Sequence, residues 1–286
     1  MLDFGIVDAH VHLIDVQTLR YAWLTFAPKL ARSWSLDDLM ARSKPYEIAA
    51  CVFVEVDVDA PLHMAEAVWV DGLTQTETRL TGVVASVPME LGPAAVEPDL
   101  ARLATMRSVR AVRRLIQDNP DTEFMIRPDF VAAVKLLPKY NFSFELCIKH
   151  PQFANTIELV RRCPEVSFIL DHIGKPAIAT GLLDPWRAHM RELARLPNIV
   201  CKLSGLTTEA DHTAWTRQQL RPYIDHTISC FGFNRLMYGG DWPVCELAGH
   251  YLQWLATLEW ATSGCSAEER RALFRETAVR AYRLTM

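Results

Sequence analysis

Eight short β-rich runs, each followed by a helical stretch, constrain the fold of this chain more than any other feature. The runs are Ile6–His12, Ala49–Val56, Gly82–Val87, Val109–Ile116, Phe142–Ile148, Val166–Asp171, Ile199–Leu203 and Arg235–Gly239. They recur roughly every 24 to 44 residues, the cadence of parallel α/β folds. Several are almost wholly apolar (ACVFV, FILD), as strands covered on both faces should be. Helices are expected over Ala65–Glu77, Asp129–Leu137 and Phe153–Arg162, with Pro138 and Pro164 just beyond. Ser35-Leu-Asp-Asp38 and Ser266-Ala-Glu-Glu269 read as capping boxes, the second opening a long amphipathic C-terminal helix. Asp184-Pro185-Trp186 reads as an N-cap with a first-turn proline. No linker, low-complexity stretch or charge block divides the sequence. The expected architecture is one α/β domain over residues 1–286, a single (β/α)8 TIM-type barrel. An open doubly wound sheet is the alternative, but its first turn is usually Gly-rich, and VDAHVHL is not.

With half of its 286 residues apolar, the chain can bury a large core. Its net charge of −4 is dispersed, without a basic stripe, which argues against nucleic acid as a partner. Seven scattered cysteines form no C-x-x-C pair and are expected as reduced, mostly buried thiols in a cytoplasmic protein. The opening MLDFGIVDAH lacks the basic segment of a signal peptide, and no apolar run reaches membrane-spanning length. A small-molecule enzyme is the class left, and a homo-oligomer is compatible with it.

In a parallel barrel, reactive groups stand at the C-terminal ends of strands. Here those ends carry His10 and His12, Glu55 and Asp57, Ser86, Arg113 and Arg114, Lys149 and His150, Asp171 and His172, Lys202 and Ser204, and Asp241. His10 and His12 are two apart on a strand, so their rings face the same way. Ring closure would bring Asp241 beside them. Each item has a plainer reading. An H-x-H alone is more often incidental, Asp171 could simply cap a helix, and paired arginines are usually solvated. Glu145 interrupts its strand, so an inward carboxylate there needs a partner, whereas an outward one could pair with a helix. His63, His189, His212, His226 and His250 lie in helical stretches and read as surface or packing residues.

Taken together, HVH, Arg113-Arg114-Leu-Ile-Gln117, LDHIGKP (170–176), CKLSG (201–205) and RLMYGGDWPVC (235–245) resemble the amidohydrolase superfamily, and within it the sugar-acid lactonase branch. The resemblance runs from the first strand to the last. It implies hydrolysis of an aldonolactone, such as an L-fucono-, L-rhamnono- or L-galactonolactone, in sugar-acid catabolism. Asp241 would be the general base on the attacking water, with His172 and His12 as catalytic partners. Arg113, Arg114, Lys149, Glu145 and Trp242 would meet substrate, and Tyr21–Trp34 would be the lid. A single zinc on His10, His12, Glu55 and Asp241, or no metal, is implied ahead of a two-metal centre, because strand four offers arginines where a carbamylated lysine would be needed. Relatives commonly have Ser before the DWP aspartate, where this chain has Gly240. Burial is expected to raise Asp241 from its ordinary pKa of about 3.9 toward the working pH. Two other readings keep the barrel: a metal-dependent decarboxylase of planar carboxylic acids, and a non-catalytic sugar-acid-binding protein.

Overall fold

The structure is a computed structural model and describes residues 2–286. Eight strands form one sheet in sequential order: β1 Ile6–Val11, β2 Ile48–Val54, β3 Leu80–Ser86, β4 Val109–Leu115, β5 Ser143–Cys147, β6 Phe168–Leu170, β7 Ile199–Leu203 and β8 Leu236–Tyr238. Every neighbouring pair is parallel. The ring closes just beyond β1 and β8, where Asp241 N–H donates to His10 C=O at 2.9 Å and His12 N–H to Trp242 C=O at 2.7 Å. A sequential order that returns to its start is a barrel, so the open-sheet alternative is excluded.

The helices between the strands are α1 Leu36–Ser43, α2 His63–Leu73, α3 Pro93–Leu103, α4 Pro128–Val134, α5 Phe153–Arg162, α6 Trp186–Leu193 and α7 Arg217–Phe231. After β8 come α8 Tyr251–Ala261, α9 Ala267–Arg271 and α10 Thr277–Tyr282. Both capping boxes are present, Ser35 with Asp38 and Ser266 with Glu269. Asp184 is not a cap: α6 begins one residue late, Pro185 holds the capping position, and the Asp184 carboxylate pairs with Arg187 instead. The long C-terminal helix is interrupted by a π-turn over Ala272–Glu276.

The C-terminal segment closes the bottom of the barrel. Ala278, Tyr282 and Leu284 pack against Val7, Val52, Val84, Ala111, Ile169 and Met237, all buried. The active end is therefore the opposite one, where strands hand over to loops. Three of those handovers curl into left-handed backbone, at Asp57 (φ 53°) after β2, at His172 (φ 52°) and Lys175 (φ 46°) after β6, and at Asp241 (φ 56°) after β8. Such conformations cost about 1–3 kcal/mol each for residues other than glycine and concentrate where side chains must be aimed. All seven cysteines are free. Among the described residues, no helix is long and apolar enough to cross a membrane.

Candidate active site

Asp241 stands at the focus of three histidines. Its Oδ1 lies 3.5 Å from His12 Nε2, 3.7 Å from His10 Nε2 and 3.9 Å from His172 Nε2. The two β1 rings approach at Nε2, 3.2 Å apart. Each ring is held from behind, His12 Nδ1 against Val54 C=O at 2.8 Å and His172 Nδ1 against Ser204 Oγ at 2.9 Å. A Cβ at Gly205 (φ 66°) would stand 2.5 Å from His172 Nδ1, so only glycine lets the loop pass behind that ring.

Beneath this cluster lies a buried layer of charge, of which Arg113 alone reaches the cavity wall. Lys202 Nζ donates to Glu145 Oε2 at 2.7 Å and lies 3.0 Å from Asp171 Oδ1 and 3.1 Å from His10 Nδ1. Tyr282 OH donates to the other oxygen of Glu145. Arg113 donates from Nε to Glu55 Oε1 at 2.6 Å, from Nη1 to Asp171 Oδ2 at 3.0 Å and from Nη2 to Glu55 C=O at 2.5 Å. These groups are all buried, and such charges persist only when paired. Burial pushes the Glu145 carboxyl up to about 7 against the pull of Lys202.

Burial lowers His172 to about 4 and His10 well below the usual imidazole range, so both rings are neutral at pH 7. Asp241 departs from the sequence expectation. Burial acts to raise its pKa, but His172, His12 and His10 outweigh it and leave the carboxyl below its ordinary value. A second carboxylate, Asp8, braces the closure without facing the cavity. It accepts from Gly240 N–H at 2.8 Å, His10 N–H at 3.0 Å and Tyr251 OH at 2.8 Å, and burial raises it to about 6. A Cβ at Gly240 would lie 2.2 Å from the Tyr251 ring and 2.4 Å from Asp8 Oδ2. Tyr251 and Asp8 therefore leave no room for a side chain at position 240.

The donor atoms of His10, His12 and Asp241 suit one divalent ion. Ligands about 2.0–2.2 Å from a tetrahedral ion lie roughly 3.4 Å from one another, and these three are 3.2–3.7 Å apart. To ligate through Nε2, His10 must carry its proton on Nδ1, which lies 3.4 Å from Asp171 Oδ1. His172 joins His10 and Asp241 as a third donor close to both. A further donor group, His10, Glu145 and Asp171, converges on the Lys202 ammonium, which stands where a second cation would.

A cavity of about 350 Å³ opens above the cluster, with His12, Arg113, His172, Lys175 and Asp241 among its lining residues. The segment Tyr21–Trp34 contributes a wall of Trp23, Phe26 and Ala27, in short 3₁₀ turns over Ala22–Phe26 and Pro28–Leu30.

Other expected site residues stand elsewhere. Glu55 is not with the histidines, because its carboxylate is taken by Arg113 and by Asp57 N–H at 2.9 Å. Arg114 points outward to Glu90, and Lys149 pairs with Asp118 at the rim. Glu145 faces inward but lies sealed under the cluster, and Trp242 is buried against Trp34 and Tyr251. Arg113 does line the cavity, though two carboxylates already engage its guanidinium. Asp8 and Lys175 lie within the segments VDAHVHL and LDHIGKP without being singled out there as site residues. Their only signal was position, two residues before the His pair and three after His172.

The Amidohydrolase family model matches residues 7–284 of the chain. L-fucono-1,5-lactonase of Burkholderia multivorans is 33% identical over 293 residues, covering 97% of this chain and 96% of the relative. L-rhamnono-gamma-lactonase of Scheffersomyces stipitis is 24% identical over 340 residues, covering 99% of this chain and 100% of the relative. Among solved structures, a zinc-bound amidohydrolase from Burkholderia multivorans superposes with a TM-score of 0.87 at 30% identity, covering 99% of this chain and 100% of that one. The chain is a hydrolase of the Amidohydrolase family.

Proposed function

We propose that the cavity hydrolyses a sugar-acid lactone, with Asp241 as the base that takes a proton from the attacking water. The observation that carries the reading is the Asp241 carboxylate, aimed by three histidines at the floor of an accessible cavity. The lactonase relatives, one of them 33% identical, support the same substrate class.

A lactone is an activated ester, so its opening needs an oriented water, a stabilised oxyanion and a protonated leaving oxygen. Asp241 is charged at neutral pH and accepts the water proton. Because its neighbours hold its pKa low, it returns that proton readily to the ring oxygen as the C–O bond breaks. Neutral His172 is placed to donate from Nε2 to the carbonyl oxygen as charge develops there, a contact typically worth about 3–4 kcal/mol. The same low pKa makes Asp241 a weak base for ordinary water. A divalent ion, zinc in this reading, on His10, His12 and Asp241 would answer that by bringing a bound water to about pKa 7 and polarising the carbonyl.

A pH-indicator screen of aldonolactones, run with and without chelator, tests the reading. Wild type should open at least one of them and lose activity in chelator, with zinc restoring it. Asp241→Asn should lower kcat at least a thousand-fold while the melting temperature stays within a few degrees. Wild-type rates from Asp241→Asn would remove Asp241 as the base.

A further inference from the structure

Two charged groups lining the cavity take no part in holding the catalytic cluster. Asp57 follows β2 and Lys175 follows β6, and both line the cavity that contains Asp241 and His172. In a closed ring of eight sequential strands, β2 and β6 stand four places apart and so face each other across the mouth. Both residues sit in left-handed backbone, and both main chains are fixed. Asp57 N–H donates to Glu55 Oε2 at 2.9 Å, and Lys175 N–H to His172 C=O at 2.9 Å.

The Asp57 head group is unpaired, and that of Lys175 is only loosely engaged. The Asp57 carboxylate makes no hydrogen bond or ion pair among the described residues. Lys175 Nζ has one ionic neighbour, Glu209 Oε1 at 3.7 Å, beyond hydrogen-bond length, although its side chain is only 16% exposed. The other charges at the cavity are committed: Arg113 to Glu55 and Asp171, Asp118 to Lys149 at 2.6 Å. Trp23 and Phe26 supply apolar lining to the same cavity.

The geometry points to Asp57 and Lys175 as the pair that reads substrate hydroxyls from opposite sides of the cavity, which makes an uncharged polyhydroxylated ring the preferred ligand. A carboxylate with free lone pairs accepts from hydroxyl groups and repels a second carboxylate. An ammonium with free protons donates to hydroxyl oxygens on the far side. The ring's C–H face then lies against Trp23. This rests on the lactone reading and extends it to the feature of the lactone that is recognised.

Two measurements test it. In kinetics, the ratio of kcat/KM for a hexono-1,5-lactone to that for δ-valerolactone, the same ring without hydroxyls, is compared between wild type, Asp57→Asn and Lys175→Met. Each variant should lower that ratio at least ten-fold, mainly through KM of the hexonolactone; ratios within two-fold of wild type overturn the inference. In binding, the corresponding hexonolactam is titrated calorimetrically, with a ring-carboxylated lactam as the second ligand. Wild type should bind the hexonolactam at least ten-fold more tightly than either variant does and should disfavour the carboxylated one. Equal affinities in wild type and both variants reject the pair even if turnover fails, whereas a wild type that binds selectively but opens no lactone rejects the hydrolysis and keeps the pair.

Discussion

His172 shows what burial does to a single titrating group. Its imidazole is held at about 4 by burial, against an ordinary value of 6.5. Between those values the unfolded chain takes up a proton that the folded chain refuses. The contribution of His172 to stability is therefore complete above pH 6.5 and is lost as pH falls toward 4, by about 1.4 kcal/mol per pH unit. His172→Gln carries no such proton, so in chelator its unfolding free energy should fall less steeply than wild type across that window. Urea titrations at half-unit pH steps measure the slope, and parallel curves would show that the ring titrates normally in the folded state. The correction at Asp241 has the same origin. Burial was foreseeable from an apolar strand end, but the opposing pull comes from His172 and His12, which only the fold brings to it.

At the scale of elements, α10 is more than packing. Its last residue, Tyr282, is fully buried and donates to Glu145 on β5, which holds Lys202 on β7 beneath His10. Tyr282→Phe keeps the shape and leaves a buried carboxylate oxygen without its donor, at a cost of about 1–3 kcal/mol. Tyr282→Ala adds a cavity at the foot of the barrel and should cost about 3–5 kcal/mol. Equilibrium unfolding in urea separates the two, and a Phe variant as stable as wild type would mean that the phenol does not support Glu145. The eight strands and both capping boxes were legible because period and end signals are local. The π-turn over Ala272–Glu276 and the shifted start of α6 were not, since packing against the barrel sets them.

For the whole molecule, the decisive event is closure between segments 232 residues apart, where Gly240 N–H meets Asp8. Three donors converge on that one carboxylate, one from the closing segment, one from α8 and one from β1 itself. Asp8→Ala removes all three bonds and leaves the donors buried, so it should cost about 2–5 kcal/mol and release the loop that aims Asp241. Asp8→Asn keeps an acceptor for the two N–H groups and should recover part of both losses. Thermal melts and lactone turnover of the two variants form the test. Loss of stability with full turnover would show that the clamp does not position Asp241.

The alternation of apolar runs and capped helices, the paired histidines on one strand, and the Asp before Trp242-Pro243 were all written in local sequence, because strand and helix periods are short-range. The barrel and the identity of Asp241, His10, His12 and His172 as neighbours could be reasoned from those signals. Tertiary structure alone decided which charges face the cavity and which are sealed beneath it. Glu55 and Arg113 look from sequence like any other strand-end ions and Glu145 like an interruption of its strand, yet the two carboxylates are turned away from ligands by partners up to 137 residues distant. A buried charge goes where its counter-charge is, and no short-range pattern records where that will be.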